Sequence, residues 1–311
     1  MKKVFLVFCL AVFSLSFFSC RRQEAAAGPL QVGIMFAIDS LPVLIARDHG
    51  YFEQEGVEVN IVQFANPQER DAALQAGHLD ASIIDFLAVA FFAAAGFDFR
   101  VTSATDGRFG IVASPQSGIT SLEELRGRRI GISLNSIIQY FLDTKLANVG
   151  IPMTEYEAVS IPLVPLRLEM LMEGHIDATV IPEPVLTAAV AQGATLLATT
   201  EGTGIDPGIV FSQRVLNTRL DDVKAFYRAY YRAVQAINAD PDAFRDYLVE
   251  SVGFPASARD PFCFVTFRPP TLHERSQIEQ VLDWLRARGL LTADLSPEDL
   301  IDTRAVGGGG W

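Results

Sequence analysis

Leu74–Ile84 reads L-Q-A-G-H-L-D-A-S-I-I, and Leu171–Ile181 reads L-M-E-G-H-I-D-A-T-V-I. Six of the eleven positions are identical, and three more are Leu/Ile, Ser/Thr or Ile/Val exchanges. The two copies lie 97 residues apart. A shorter echo precedes them: Val32-Gly33-Ile34 matches Ile130-Gly131-Ile132, 98 residues on. A period of this length marks one supersecondary block used twice rather than a solenoid. Within each copy, Leu74 or Leu171 is the last apolar contact of a helix. Gly77 or Gly174 stops that helix, because glycine enters the left-handed region cheaply. His78 and Asp80, or His175 and Asp177, turn the corner. Ala81–Ile84 and Ala178–Ile181 are short, apolar and β-prone, which is the pattern of strands buried on both faces of a parallel sheet. Each half then carries strand, helix, strand, helix, strand. In such sheets, ligands bind outside the carboxyl ends of the strands. Two sheets facing each other make a cleft, with Asp85-Phe86 and Pro182-Glu183 on opposite walls.

The chain has 311 residues, enough for two ordinary lobes with real cores. Half of them are hydrophobic, which excludes a disordered chain. The formal net charge of −12 leaves no basic footprint for nucleic acid. At the start, Lys2 and Lys3 precede the apolar run Val4–Phe18, which is short for a membrane span and fits a signal segment. Ser19-Cys20 follows and resembles a bacterial lipoprotein signal, with Phe17 where an aliphatic residue is usual. On that reading residues 1–19 are a signal peptide, Cys20 is lipidated, and residues 20–29 are a tether to the membrane. A plain secretory signal and an uncleaved anchor are the alternatives. Cys9 is lost on cleavage, so Cys263 stands alone and the mature chain has no disulfide.

Taken in order, the first half reads as strand Gln31–Phe36, helix Leu41–Asp48 with Asp39-Ser40 as its cap, and strand Val57–Phe64. Next come a helix opened by Asn66-Pro67, the repeated strand, a small-residue helix Asp85–Ala95 and strand Phe99–Ala104. Residues 105–117 are a first crossover, with a strand at Ile111–Ala113. The second half repeats the alternation through helices Ser136–Val149, Leu163–Glu173 and Glu183–Ala191. The stretch 202–208, with three glycines and a proline, is a second crossover. The rest reads as mostly helical. The aromatic stripe of Leu220–Asn238 is core rather than a ligand platform. Residues 307–311 form a flexible tail.

Several stretches, in this order, resemble a periplasmic solute-binding protein of an ABC importer, from the branch that takes nitrate, sulfonates, taurine and thiamine-type pyrimidines. They are Leu41-Pro42 through Gly50-Tyr51-Phe52, Ala76–Ala81, Ser121-Leu122-Glu123-Glu124-Leu125-Arg126-Gly127, Arg129–Ile132 and Ile181-Pro182-Glu183-Pro184. The resemblance covers about residues 30–240. It implies an α/β, two-lobed periplasmic-binding-protein fold of type II-like form, with the lobes joined by two crossover strands. Lobe one is then 30–110 plus 207–306, and lobe two is 111–206. It implies a monomer that closes on a small ligand and docks on permease and ATPase subunits, with no cofactor and no catalysis. Some proteins of this fold are pyrimidine-forming enzymes. That chemistry calls for clustered His and Cys at the cleft, and the cleft loops contain neither.

The strand-end loops and the hinge supply the candidate ligand contacts: Phe36, Asp39, Ser40, Asp85, Phe86, Arg108, Phe109, Asn135, Ser136 and Glu183. Asn135 and Ser136 open a helix whose backbone N–H groups suit an anion. Four carboxylates, Asp39, Asp85, Asp106 and Glu183, weigh the other way and favour a planar nitrogen-bearing ligand stacked on Phe36 or Phe109. Plainer roles stand beside these. Asp39 and Asp85 suit helix caps, Glu183 suits a helix dipole, and Arg108 suits a pair with Asp106. The four histidines, at 49, 78, 175 and 273, do not form a metal-ligand pattern.

Overall fold

The structure is a computed structural model that describes residues 28–201, 203 and 206–306. The expected signal peptide, Cys20 and residues 307–311 lie outside these described residues. Ten strands form two five-stranded sheets. The first has the order β2-β1-β3-β10-β4, built from β1 (Leu30–Met35), β2 (Val59–Phe64), β3 (Ala81–Ile84), β4 (Phe99–Ala104) and β10 (Gly208–Ser212). The second has the order β7-β6-β8-β5-β9, built from β5 (Phe109–Ala113), β6 (Arg129–Ile132), β7 (Glu157–Ser160), β8 (Ala178–Pro182) and β9 (Thr195–Thr199). Helices α1 (Leu41–Asp48), α2 (Tyr51–Gln54), α3 (Pro67–Gln75) and α4 (Phe86–Ala94) follow strands of the first sheet. Helices α5 (Ile137–Asn148), α6 (Val164–Met172) and α7 (Val185–Ala191) follow strands of the second. The C-terminal part supplies α8 (Gln213–Thr218), α9 (Leu220–Ala239), the short α10 (Arg245–Tyr247) and α11 (Arg275–Ala287).

The sequence repeat is reproduced down to single hydrogen bonds. Asp80 Oδ2 accepts the Gln31 N–H at 2.9 Å, and Asp177 Oδ2 accepts the Arg129 N–H at 2.8 Å. Each aspartate thus fixes the start of the strand beside it. Ser82 Oγ donates to the Gly33 carbonyl, and Thr179 Oγ1 donates to the Gly131 carbonyl, both at 2.7 Å. The echoed glycines exist for close approach. A Cβ on Gly33 would sit 2.6 Å from Leu79 Cδ1, and one on Gly131 would sit 2.6 Å from Ile176 Cδ1. Both are backbone positions where only glycine lets the strand lie against the turn leading into its partner.

The sheets are mixed, not parallel throughout. β10 runs antiparallel between β3 and β4, and β5 runs antiparallel between β8 and β9. β10 corrects the reading of the chain after residue 208 as helical. G-I-V-F-S is a strand whose partners lie more than a hundred residues upstream. The first sheet therefore takes β10 from beyond the second crossing, and all five strands of the second sheet lie between the two crossings. The two crossings, between β4 and β5 and between β9 and β10, run side by side. The Thr105 N–H donates to the Pro207 carbonyl at 3.0 Å.

Packing follows the periodicity. α9 buries Val223, Phe226, Tyr227, Tyr230, Val234 and Ile237, and the hydroxyls of Tyr227 and Tyr230 meet Thr102 of β4 at 2.5 Å and Thr105 just beyond it at 2.9 Å. A second cluster runs through both sheets, joining α4, α5 and α11, so one core spans the junction. Asn66 caps α3 by accepting the Glu69 N–H at 2.9 Å, ahead of Pro67. The expected cap at Asp39-Ser40 is absent. Ser40 Oγ instead donates to the Met35 carbonyl at 2.9 Å and to Asp39 Oδ1 at 3.3 Å.

Candidate functional site

A cavity of about 390 Å³ lies between the carboxyl ends of the two sheets. Of the ten candidates, Phe36, Asp39, Asp85, Phe109 and Ser136 line it, and Ser40, Phe86, Arg108, Asn135 and Glu183 do not. Phe86 turns away and packs edge-on against His273, with ring centroids 4.5 Å apart. Asn135 takes a left-handed φ of 54°, and its N–H is held by Gln139 Oε1 at 2.8 Å. Asp85 caps two helices at once. Its Oδ1 accepts the Ala88 N–H at 3.0 Å, and its Oδ2 accepts the Ile137 N–H of α5 at 3.3 Å. The helix start expected to hold an anion is therefore already answered by a carboxylate from the facing sheet.

Glu183 is buried behind the wall. Its Oε1 accepts Arg108 Nε at 3.0 Å and Nη2 at 2.7 Å, and its Oε2 accepts the Thr187 N–H at 3.0 Å. Arg108 also donates to the Cys263 carbonyl at 2.9 Å. Asp106 pairs with Arg268 rather than with Arg108, at 2.8 Å, and accepts the Arg268 N–H at 2.7 Å. Of the four carboxylates counted against an anion, two are thus neutralised outside the cavity.

Two charged side chains in the wall were not anticipated: Arg70 on α3 and Arg167 on α6. They stand 97 residues apart, so the repeat places one in each half of the cleft. Arg70 is tied down. It meets Asp71 Oδ1 at 2.8 Å and donates to the Ile83 carbonyl at 3.1 Å. Arg167 is 1% exposed, and its Nε and Nη1 have no hydrogen-bond partner among the described residues. Burial pulls its pKa down to about 10, so it stays a cation at neutral pH. A buried guanidinium in a cavity wall with no counter-ion among the described residues is costly unless a ligand answers it.

Asp39 and Asp85 shift the other way. Burial pushes Asp39 up to about 6, against the Ser40 hydrogen bond and the charge of Arg70. Burial also raises Asp85, against the N–H of Ala88. The folded pKa of Asp39 lies above the 3.8 of a free aspartate. Its favourable contribution is therefore full below 3.8 and is lost as pH rises through about 6. At pH 8 the buried carboxylate costs on the order of 3 kcal/mol. Asp39→Asn should raise the melting temperature of the unliganded protein by several degrees at pH 8. The gain should vanish by about pH 4, and an equal gain at both pH values would refute the assignment.

Two α/β sheets with these strand orders, two crossings and a cavity between the strand ends define a two-lobed periplasmic-binding-protein fold. The chain belongs to the NMT1/THI5-like family, whose sequence pattern matches residues 37–244. It is 29% identical over 250 residues to a putative aliphatic sulfonates-binding protein of Bacillus subtilis, covering 75% of this chain and 74% of that one. Over 123 residues it is 27% identical to the 4-amino-5-hydroxymethyl-2-methylpyrimidine phosphate synthase of Schizosaccharomyces pombe, covering 38% of this chain and 35% of the enzyme. The fold superposes on the alkanesulfonate-binding protein SsuA of Xanthomonas axonopodis pv. citri with a TM-score of 0.77 at 22% identity, covering 89% of this chain and all of that one.

Proposed function

We propose that this chain is the solute-binding component of an ABC importer and that its ligand is a small organic anion of the sulfonate class. The observation that carries the anion is Arg167, a fully buried cation in the cavity wall whose Nε and Nη1 have no hydrogen-bond partner among the described residues. Charge-assisted bonds to an arginine fork are among the stronger polar contacts a ligand makes, and a tetrahedral oxyanion fits that fork. The sulfonates-binding relative, matched over three quarters of both chains, supports the same class. The lobes close on the ligand about the crossings, where Thr105 meets Pro207, and the closed form is what permease and ATPase subunits read. The protein acts as a monomer, held at the membrane through lipid on Cys20, with no catalytic step.

A nitrogen heterocycle is the second reading. It keeps Asp39 as an acceptor in the cavity, Phe36 and Phe109 in its wall, and the partial match to pyrimidine phosphate synthases. It loses Glu183, whose oxygens are taken by Arg108 and Thr187. It also leaves Arg167 without an answer. Calorimetry of the purified protein against alkanesulfonates, taurine, MOPS and 4-amino-5-hydroxymethyl-2-methylpyrimidine separates the two. Micromolar or tighter binding of a sulfonate, with none for the pyrimidine, is expected. The reverse order would overturn the anion.

A further inference from the structure

The halves of the molecule meet through contacts of different kinds, and the first is apolar and closely packed. Helix α11 is fixed to the first sheet by the chain that follows it. The Val101 N–H of β4 donates to the Leu300 carbonyl at 2.8 Å, and the Asp302 N–H donates to the Val101 carbonyl at 2.9 Å. Helix α5 leaves β6 of the second sheet. Yet Ile137, Tyr140 and Phe141 of α5 share one buried cluster with Leu87 of α4 and with Val281 and Leu285 of α11. A cavity of about 20 Å³ remains where the three helices meet, room for about one water. The Tyr140 and Trp284 rings meet edge to face with centroids 5.7 Å apart. Arg288 lies 4.7 Å over the Trp284 ring and donates to Asp143 Oδ2 at 2.8 Å, while Asp143 Oδ1 accepts the Tyr156 hydroxyl. Parting α5 from α11 would leave this half-buried pair uncompensated.

A second contact is slight. The Ile38 N–H donates to the Glu183 carbonyl at 3.3 Å, and α7 rests on the short turn Ala256–Ala258, two alanines and a serine. Small side chains and a long hydrogen bond give little area to hold two surfaces together.

Domains joined by a large apolar interface do not part freely, whereas small polar contacts open readily. Resting on lobe closure alone and not on the ligand class, we propose that α5 is the fulcrum of that motion. The helix stays seated on α4 and α11 in open and closed forms, the second half rocks about it, and the cleft parts between Ile38 and Glu183. The wall formed by Ser136, Ile137 and Ile138 keeps its place beside Asp85, and the wall formed by Pro182, Pro184 and Val185 swings away. A ligand then enters against a side of the cavity that is already assembled.

Two amide hydrogens report the motion, because each is bonded from one half to the other: Ile38 to the Glu183 carbonyl, and Ile137 to Asp85 Oδ2 at 3.3 Å. Hydrogen exchange of the unliganded protein, followed by nuclear magnetic resonance, should find Ile38 about a hundredfold less protected than Ile137. Equal protection would overturn the fulcrum, whatever the protein binds. Trp284→Ala/Arg288→Met strips the α11 side of the seat. In that variant Ile137 should exchange about tenfold faster or more, with the buried sheet amides of Ile34 and Ile132 within about threefold of wild type. Trp284→Leu, which keeps apolar bulk, should fall between. An Ile137 amide that does not respond, or that speeds up only as much as the sheet amides, would equally overturn the proposal.

Discussion

Arg167→Met should raise the melting temperature of the unliganded protein and abolish its tight binding of organic sulfonates in the same variant. Both effects come from one physical fact. Arg167 is buried, cationic at neutral pH and short of hydrogen-bond partners. Burial pulls its pKa down to about 10, below the ordinary arginine range. The folded state therefore carries the cost of its charge at every pH below that value, on the order of 3 kcal/mol. Methionine has a similar length and no charge, and it refills most of the space. A net gain of about 2 kcal/mol corresponds to roughly 3–4 °C in a chain of this size. A sulfonate, however, loses two charge-assisted bonds of roughly 1.5–3 kcal/mol each, or at least a hundredfold in affinity. Arg167→Lys should fall between, because an ammonium cannot offer the planar fork. Differential scanning calorimetry and titration calorimetry on the same preparations decide the matter. A destabilised variant that keeps its affinity would show that Arg167 is a structural residue.

The duplicated block was readable because its physics is local. A glycine stop, an aspartate at the turn and a short apolar strand follow one another within eleven residues. The same run gave the strand ends, and Asp39, Asp85 and Phe109 at those ends do line the cavity. What the sequence hid depends on register and on distance along the chain. β10 is five residues of ordinary composition, and only its antiparallel pairing with β3 and β4 makes it a central strand. Glu183 and Arg108 are far apart in sequence. They become neighbours because β5 and β8 pair antiparallel with Phe109 opposite Pro182. Arg70 and Arg167 were within reach. Both stand four residues before the conserved leucine of the repeat, at the same 97-residue offset, so following the two copies one turn upstream would have met arginine in each. Arg70 sits between Glu69 and Asp71 and looks like a solvated charge. Arg167 is flanked directly by Leu166 and Leu168 on α6, with Glu169 as the helix's other charge, and that apolar flank was the available signal.

Glu183→Gln should destabilise the protein strongly and leave its ligand affinity almost unchanged. Glu183 stands at a strand end in the position of a ligand acceptor, but the structure gives its Oε1 to Arg108 and its Oε2 to the first turn of α7. The pair is buried on the glutamate side, with side-chain exposures of 16% for Arg108 and 2% for Glu183. Removing one charge leaves the other largely desolvated and unpaired, a loss of about 3–5 kcal/mol when the pair is fully buried. The partial exposure of Arg108 places the loss near the low end, a fall of roughly 5 °C in melting temperature. Arg108 also donates to the Cys263 carbonyl and lies 5.9 Å over the Phe262 ring, so the loosened guanidinium would release the C-terminal segment from β5. Adding Arg108→Met to Glu183→Gln should recover most of the lost stability, since replacing both charges by neutral groups removes the uncompensated one. Neither side chain lines the cavity, so the Kd for a sulfonate should move by no more than about threefold in the single variant. A melting temperature near that of the wild type, together with lost binding, would return Glu183 to the ligand site and break the ion-pair assignment.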